Sequence, residues 1–162
     1  MCYILLLATG CRFGEVVALE WSDIDLEERT ISITKNYSRL LKLIGTPKSK
    51  AGIRVISIDP RTCNMLRLYK KRQRQLYLEV GARAPEVVFA TPTKDYPNMA
   101  TRQESLDRRL KEIGCPRFTF HAFRHTHASL LLNAGISYKE LQYRLGHATL
   151  AMTMDIYGHL SN

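Results

Sequence analysis

The groups best suited to chemistry in this 162-residue chain lie in His121-Ala122-Phe123-Arg124-His125-Thr126-His127. On a helix His121 and Arg124 stand three apart and project from one face, so an imidazole and a guanidinium converge on a single anion. Arginine presents a planar fork of permanently charged donors that matches a phosphate, and histidine gives or takes a proton near neutral pH. The rival chemistry is metal binding, because His121 and His125 are spaced i, i+4. That reading lacks the neighbouring glutamate of an HExxH site and a third well-spaced ligand, so the anion is preferred and no metal is expected. His147, in Leu145-Gly146-His147 just past a helix stop, and Tyr157 near the chain end would not stand out individually.

These groups need elements to hold them. An apolar run over 3–8 ends at Thr9-Gly10, and 12–20 places Val16, Val17 and Leu19 at helical spacing, which reads as helix, tight turn, helix. The alternation of 30–34 reads as a strand, and 40–46 with 53–58 as a second strand pair around the turn Pro47-Lys48-Ser49-Lys50-Ala51-Gly52. Lys48 and Lys50, two apart, share a face when extended. Asp59-Pro60 opens a long helix to about residue 80, with Met65, Leu66, Leu68, Leu76 and Leu78 inside and Lys70-Lys71-Arg72-Gln73-Arg74 outside. A short buried strand is expected over 87–90. Helices are expected over 99–113, 121–133, 138–145 and 150–157, each of the first three stopped at a glycine. The fold class is therefore α+β and mainly helical, with a small antiparallel sheet or hairpin near the N-terminal third.

Composition narrows the function classes. With 45% hydrophobic and 24% charged residues the chain buries a core and is not disordered. No apolar stretch reaches the ~18 residues of a membrane span, and the start lacks the pattern of a signal peptide, so a cytoplasmic protein without a membrane partner is expected. Cys2, Cys11, Cys63 and Cys115 form no CxxC pair and read as reduced structural thiols. Net charge is +9, and residues 39–74 alone contribute eleven Lys/Arg against one Asp. That local +10 on an otherwise nearly neutral chain suits a phosphate-binding stripe, with Arg39, Lys42, Arg54, Lys70, Lys71, Arg72 and Arg74 as expected nucleic-acid contacts.

Five segments together resemble the catalytic domain of the tyrosine recombinases, or phage integrases. They are Thr9-Gly10-Cys11-Arg12-Phe13-Gly14-Glu15 with Leu19-Glu20-Trp21-Ser22-Asp23-Ile24-Asp25; Pro47-Lys48-Ser49-Lys50; His121-Ala122-Phe123-Arg124-His125-Thr126; Leu145-Gly146-His147; and Asp155-Ile156-Tyr157-Gly158-His159. They stand in family order and span nearly the whole chain. The resemblance implies that Arg12, His121, Arg124 and His147 surround a scissile phosphate and that Tyr157 is the nucleophile. It also implies a hairpin lysine as general acid, with Lys48 favoured over Lys50. Two fixed guanidiniums would stabilise the charge of the transition state, and a tyrosine of pKa ~10 needs a base, for which His121 is expected. No cofactor is implied. Glu15 is expected to orient Arg12, Trp21 and Phe123 to belong to the core, and His125, His127 and His159 to be supporting.

The same resemblance implies site-specific integration or excision of a phage or mobile element through a 3′-phosphotyrosyl link and a Holliday junction. Residues 1–162 read as one catalytic domain, a fragment without the family's core-binding and arm-binding domains and with a truncated first helix. Implied partners are double-stranded DNA, further copies assembling as a tetramer on DNA, and accessory DNA-bending or directionality factors. The expected location is the bacterial cytoplasm, at the nucleoid when acting. The alternatives are a type IB topoisomerase-like enzyme, disfavoured by the contexts of residues 121–126 and 145–147, and a non-catalytic DNA-binding relative, disfavoured by the intact residue set.

Overall fold

The computed structural model describes residues 1–38, 43–47, 49–91 and 96–157. Helix α1 (Cys2–Thr9) is apolar enough to be buried on several sides, with Leu5 and Leu6 fully enclosed where it packs along α5 (Phe120–Asn133). Gly10 ends it in the left-handed region at φ 66°, and its N–H bonds to the Leu6 carbonyl at 3.0 Å. A side chain there would be strained, and its Cβ would lie 2.5 Å from the His127 ring. Glycine thus lets the chain turn directly from α1 into α2 (Phe13–Val17), which Arg12 caps.

Strands β1 (Ile24–Asp25), β2 (Thr30–Ile33) and β5 (Arg54–Ser57) form an antiparallel sheet in the order β1-β2-β5. A separate hairpin pairs β3 (Asn36–Ser38) with β4 (Leu43–Gly45). The expected pairing of 40–46 with 53–58 is therefore corrected: β5 pairs with β2, aligning Ile31 with Ile56 and Ile33 with Arg54. The cause is burial, since Ile31, Ile33 and Ile56 fill one face of this sheet and no such apolar face exists on β4.

Helix α3 (Pro60–Glu79) starts as expected, with the Asp59 carboxylate accepting from the Thr62 N–H at 2.9 Å. Its inward face is corrected. Leu68, Leu76 and Leu78 are 68%, 52% and 75% exposed, whereas Thr62, Cys63, Leu66 and Gln73 are buried. Gln73 takes the inner position because it accepts from the Trp21 indole at 2.8 Å and donates to the Val88 carbonyl at 3.1 Å. Residues 87–90 contribute one isolated bridge, Glu20 to Val87, instead of a strand, although Val88 and Phe89 are buried.

Helices α4 (Met99–Glu112), α5, α6 (Tyr138–Leu145) and α7 (Leu150–Tyr157) follow the expected spans closely. The main core joins α1, α2, the three-stranded sheet, α3, α4 and Phe120 of α5. A smaller cluster of Ala128, Leu141, Leu145 and Tyr157 seats α6 and α7 on the far end of α5. Among the described residues no helix is long and apolar enough to cross a membrane.

Candidate active site

Arg12 stands at the turn between α1 and α2, and Glu15 reaches back to it. The Glu15 carboxylate accepts from the Arg12 backbone N–H at 2.9 Å and from its guanidinium at 3.2 Å. Arg12 keeps 44% of its side chain exposed while Glu15 is enclosed, so the carboxylate aims a cation that still faces solvent. Arg54 meets the same carboxylate from beneath with a two-pronged contact, 3.1 Å to Oε1 and 3.0 Å to Oε2. Burial pushes the Glu15 carboxyl up, but the bonds from Arg54 and Arg12 outweigh it and hold the group below its usual range.

The expectation that Arg54 contacts DNA is corrected. The register of β5 turns Arg54 and Ile56 inward and Val55 and Ser57 outward, so the Arg54 side chain has no exposed surface. It donates instead to Glu15, to the Gly52 carbonyl at 2.9 Å and to the Arg144 carbonyl at 2.8 Å. A Cβ on Gly146 would lie 2.8 Å from an Arg54 terminal nitrogen, so glycine is needed there for space as well as for its φ of 67°.

On α5, Arg124 is 2% exposed. Its two terminal nitrogens donate to the Gly10 carbonyl at 2.9 Å and the Leu145 carbonyl at 2.7 Å, which ties the α1–α2 turn to the end of α6. Burial, then the nearby Arg12 charge, lower its pKa to about 10, so it stays cationic at neutral pH. His121 lies one turn away, exposed, with its pKa lowered by burial and then by His125, Arg124 and Arg12. His125 sits edge-on to His121 at 4.6 Å between ring centroids and edge-on to Tyr157 at 5.6 Å. His125 therefore lies between the His121 and Tyr157 rings, which its spacing alone did not signal.

His147 is 4% exposed, with Nδ1 at 2.9 Å from the Thr153 hydroxyl. Burial, then Arg124 and Arg12, push its pKa down to about 4. Tyr157 ends α7 in the smaller core cluster, and burial raises its phenol above the usual value despite the opposing Arg124 charge. Arg12, His121, Arg124, His147 and Tyr157 thus share one electrostatic neighbourhood. A cleft of ≈ 280 Å³ opens beside it, lined by Arg12, Glu15, Asn36, Pro47, Ser49, Gly52 and Gly146. Asn36 was not legible as a cleft residue, because only the β3–β4 hairpin brings it over Gly14.

Two buried neutral histidines make the fold acid-sensitive. His127 accepts from the Arg144 Nε at 2.8 Å and, through burial and then Arg144, is pushed down to about 4 like His147. Unfolded, both titrate near ~6.5, so between that value and about 4 the unfolded chain binds more protons. Stability is then full above ~6.5 and falls with pH, by up to about 3 kcal/mol for His127 at completion and by less for His147, which solvent screens more. Urea unfolding at a series of pH values checks this; a curve flat from neutral pH to the lower value would contradict it.

Lys50, itself exposed, begins a 3-10 turn, Lys50–Gly52, at the rim of the cleft. Lys48, Arg39, Lys42 and His159 lie outside the described residues. Lys70, Lys71, Arg72 and Arg74 are on α3; Lys70 stands 4.9 Å over the Trp21 ring, and with Lys71 and Arg74 lines a groove with Leu26 and Leu78. None of these four lines the cleft. Among the described residues no three His, Cys, Asp or Glu side chains converge as metal ligands.

Comparison with known proteins places this geometry. The chain is similar to the ICEBs1 integrase of Bacillus subtilis, 34% identical over 164 residues covering 98% of this chain and 44% of that protein. It is 30% identical to the transposase from transposon Tn916 of Enterococcus faecalis, over 96% of this chain and 41% of that one. It spans less than half the length of these relatives. The solved structure of the Tn1549 transposon integrase in complex with transposon right end DNA superposes with a TM-score of 0.81 at 26% identity. That match covers 96% of this chain and 52% of that one. The family model described as "Phage integrase family" matches residues 1–162, and the chain belongs to the phage integrase family.

Proposed function

We propose that this chain is the DNA-cleaving and rejoining domain of a site-specific tyrosine recombinase that moves a phage or other mobile element. The observation that carries the reading is an under-neutralised cationic pocket beside a buried tyrosine. Two guanidiniums, Arg12 and Arg54, contact the one carboxylate Glu15, a third, Arg124, lies within its electrostatic reach, and the Arg124 charge acts on the Tyr157 phenol. Such a pocket suits an anion whose charge rises during reaction. Integrases and transposases among the relatives, and the DNA bound to the Tn1549 integrase, support DNA as that anion.

In the proposed reaction the Tyr157 phenolate attacks phosphorus in line, the bond to the 5′ oxygen breaks, and a 3′-phosphotyrosyl link conserves the bond energy. Burial holds the phenol protonated at neutral pH, so a base must take its proton. His121, with its pKa below the usual histidine value, is a neutral imidazole there and serves as acceptor. Arg12 and Arg124 hold the non-bridging oxygens, and His147 donates a hydrogen bond to one of them. A lysine of the 47–52 turn, Lys48 or Lys50, protonates the leaving 5′ oxygen. A 5′ hydroxyl of a second strand reverses the step, and two such exchanges pass through a Holliday junction. Assembly as a tetramer on DNA and help from accessory DNA-bending factors belong to the same proposal. Lys70, Lys71, Arg72 and Arg74 enter it as outlying phosphate contacts, apart from the chemistry.

The test is made in EDTA with fragmented DNA from the host and the element. The denatured mixture is expected to contain DNA covalently attached to the wild-type protein and none attached to Tyr157→Phe. An adduct surviving in Tyr157→Phe overturns the assigned nucleophile. Absence of an adduct, even on nicked DNA, overturns the enzymatic reading in favour of a non-catalytic DNA binder.

A further inference from the structure

The geometry points to Thr153 as a positioning residue that fixes His147 in the tautomer carrying its proton on Nε2. Thr153 is fully buried on α7, one turn before Tyr157. Its hydroxyl proton needs an acceptor, since a buried donor left unpaired costs about 1–3 kcal/mol. Threonines on helices often satisfy this by donating to the carbonyl four residues earlier, as Thr9 does to Leu5 at 2.6 Å. Thr153 makes no such bond among the described residues, and the one partner of its Oγ1 there is His147 Nδ1 at 2.9 Å. Thr153 therefore donates, Nδ1 accepts, and the imidazole proton resides on Nε2.

The rest of the site fits that assignment. The backbone of His147 is held at both ends: its N–H donates to the Gln142 carbonyl at 3.1 Å, and its carbonyl accepts from Gln142 Nε2 at 3.3 Å. Among the described residues Nε2 makes no hydrogen bond, whereas Nδ1 is taken by Thr153. The ring is 4% exposed and is anchored through Nδ1, the nitrogen opposite the one that carries the proton. A neutral imidazole in the other tautomer would present a lone pair to the phosphate and repel it. Because Thr153 and Tyr157 share α7, the seat of the nucleophile's helix also sets whether the phosphate donor is ready.

The role in cleavage rests on the recombinase reading, whereas the tautomer does not. The experiment is a two-bond proton–nitrogen correlation spectrum of the nitrogen-15-labelled full chain at neutral pH, with His147 assigned by comparison with His147→Gln. The wild type and Thr153→Ser are expected to show a protonated Nε2 and an acceptor Nδ1. In Thr153→Val the two nitrogen signals should move toward each other as the tautomers mix. A protonated Nδ1 in the wild type, or a valine spectrum identical to it, overturns the inference. The wild-type and serine spectra decide it even where the valine variant unfolds. On the DNA recovered in adducts, the valine variant should cleave about 10- to 100-fold more slowly and the serine variant nearly as fast as the wild type. Equal slowing in both variants reduces Thr153 to a packing residue. A wild type that forms no adduct defeats the recombinase reading and leaves the tautomer assignment standing.

Discussion

Replacing Arg54 with alanine is expected to destabilise the fold by about 3–5 kcal/mol, a fall of roughly 10 °C in Tm. The variant strips the two-pronged partner from a carboxylate that is itself 2% exposed and leaves it enclosed with one cation fewer. Burial opposes both charges, yet their mutual bonds prevail, holding Glu15 below its usual pKa range and Arg54 above its own. Arg12 still touches Glu15 at 3.2 Å, which moderates the loss without removing it, because that guanidinium is half in solvent. The carbonyls of Gly52 and Arg144 lose their donor in the same step. Thermal and urea unfolding check the value. The double variant Glu15→Gln, Arg54→Met removes both buried charges together and should recover much of the loss. A loss below about 1 kcal/mol in Arg54→Ala would place the pair among ordinary surface ion pairs and defeat the argument.

Arg54 also shows where sequence reading stops. Its charge placed it in the basic segment, and charge alone favours solvent. Its parity with Ile56 and Ile58 on one strand was visible and pointed inward, but deciding between the two required knowing that β2 and Glu15 lie opposite. The same holds on α3, where three leucines outvoted Gln73 in composition but the unpaired Trp21 indole and the Val88 carbonyl claimed the glutamine. Helix spans were legible because glycine stops at 10, 135 and 146 have local causes in positive φ. His121 and Arg124 stand out by their residue chemistry, whereas Arg12, His147 and Tyr157 are singled out only by five motifs taken together. What joins them, the Glu15–Arg54 pair and the Thr153 hydroxyl, rests on contacts between residues distant in sequence or on burial, and neither leaves a motif.

Exchanging Arg124 for lysine is expected to slow covalent adduct formation by about 10²–10³-fold while leaving an adduct that is still lost in Tyr157→Phe. The guanidinium does two jobs at once. One terminal nitrogen holds the Gly10 carbonyl beside Arg12 and the other holds the Leu145 carbonyl two residues before His147, and in the proposed reaction the remaining N–H groups serve the phosphate. An ammonium has three donors on one atom and no plane, so satisfying two carbonyls on different elements turns it away from an anion. Its charge would also be less secure, because the burial and the Arg12 field that bring Arg124 to about 10 act on a group whose usual value is already lower. The loss should therefore grow as pH rises from 7 to 9 in the lysine variant and stay nearly constant in the wild type, which remains cationic throughout. Single-turnover cleavage of the recovered site across that range checks the claim. A lysine variant within a factor of about three of the wild type would show that charge alone suffices and that the fork on Gly10 and Leu145 is dispensable.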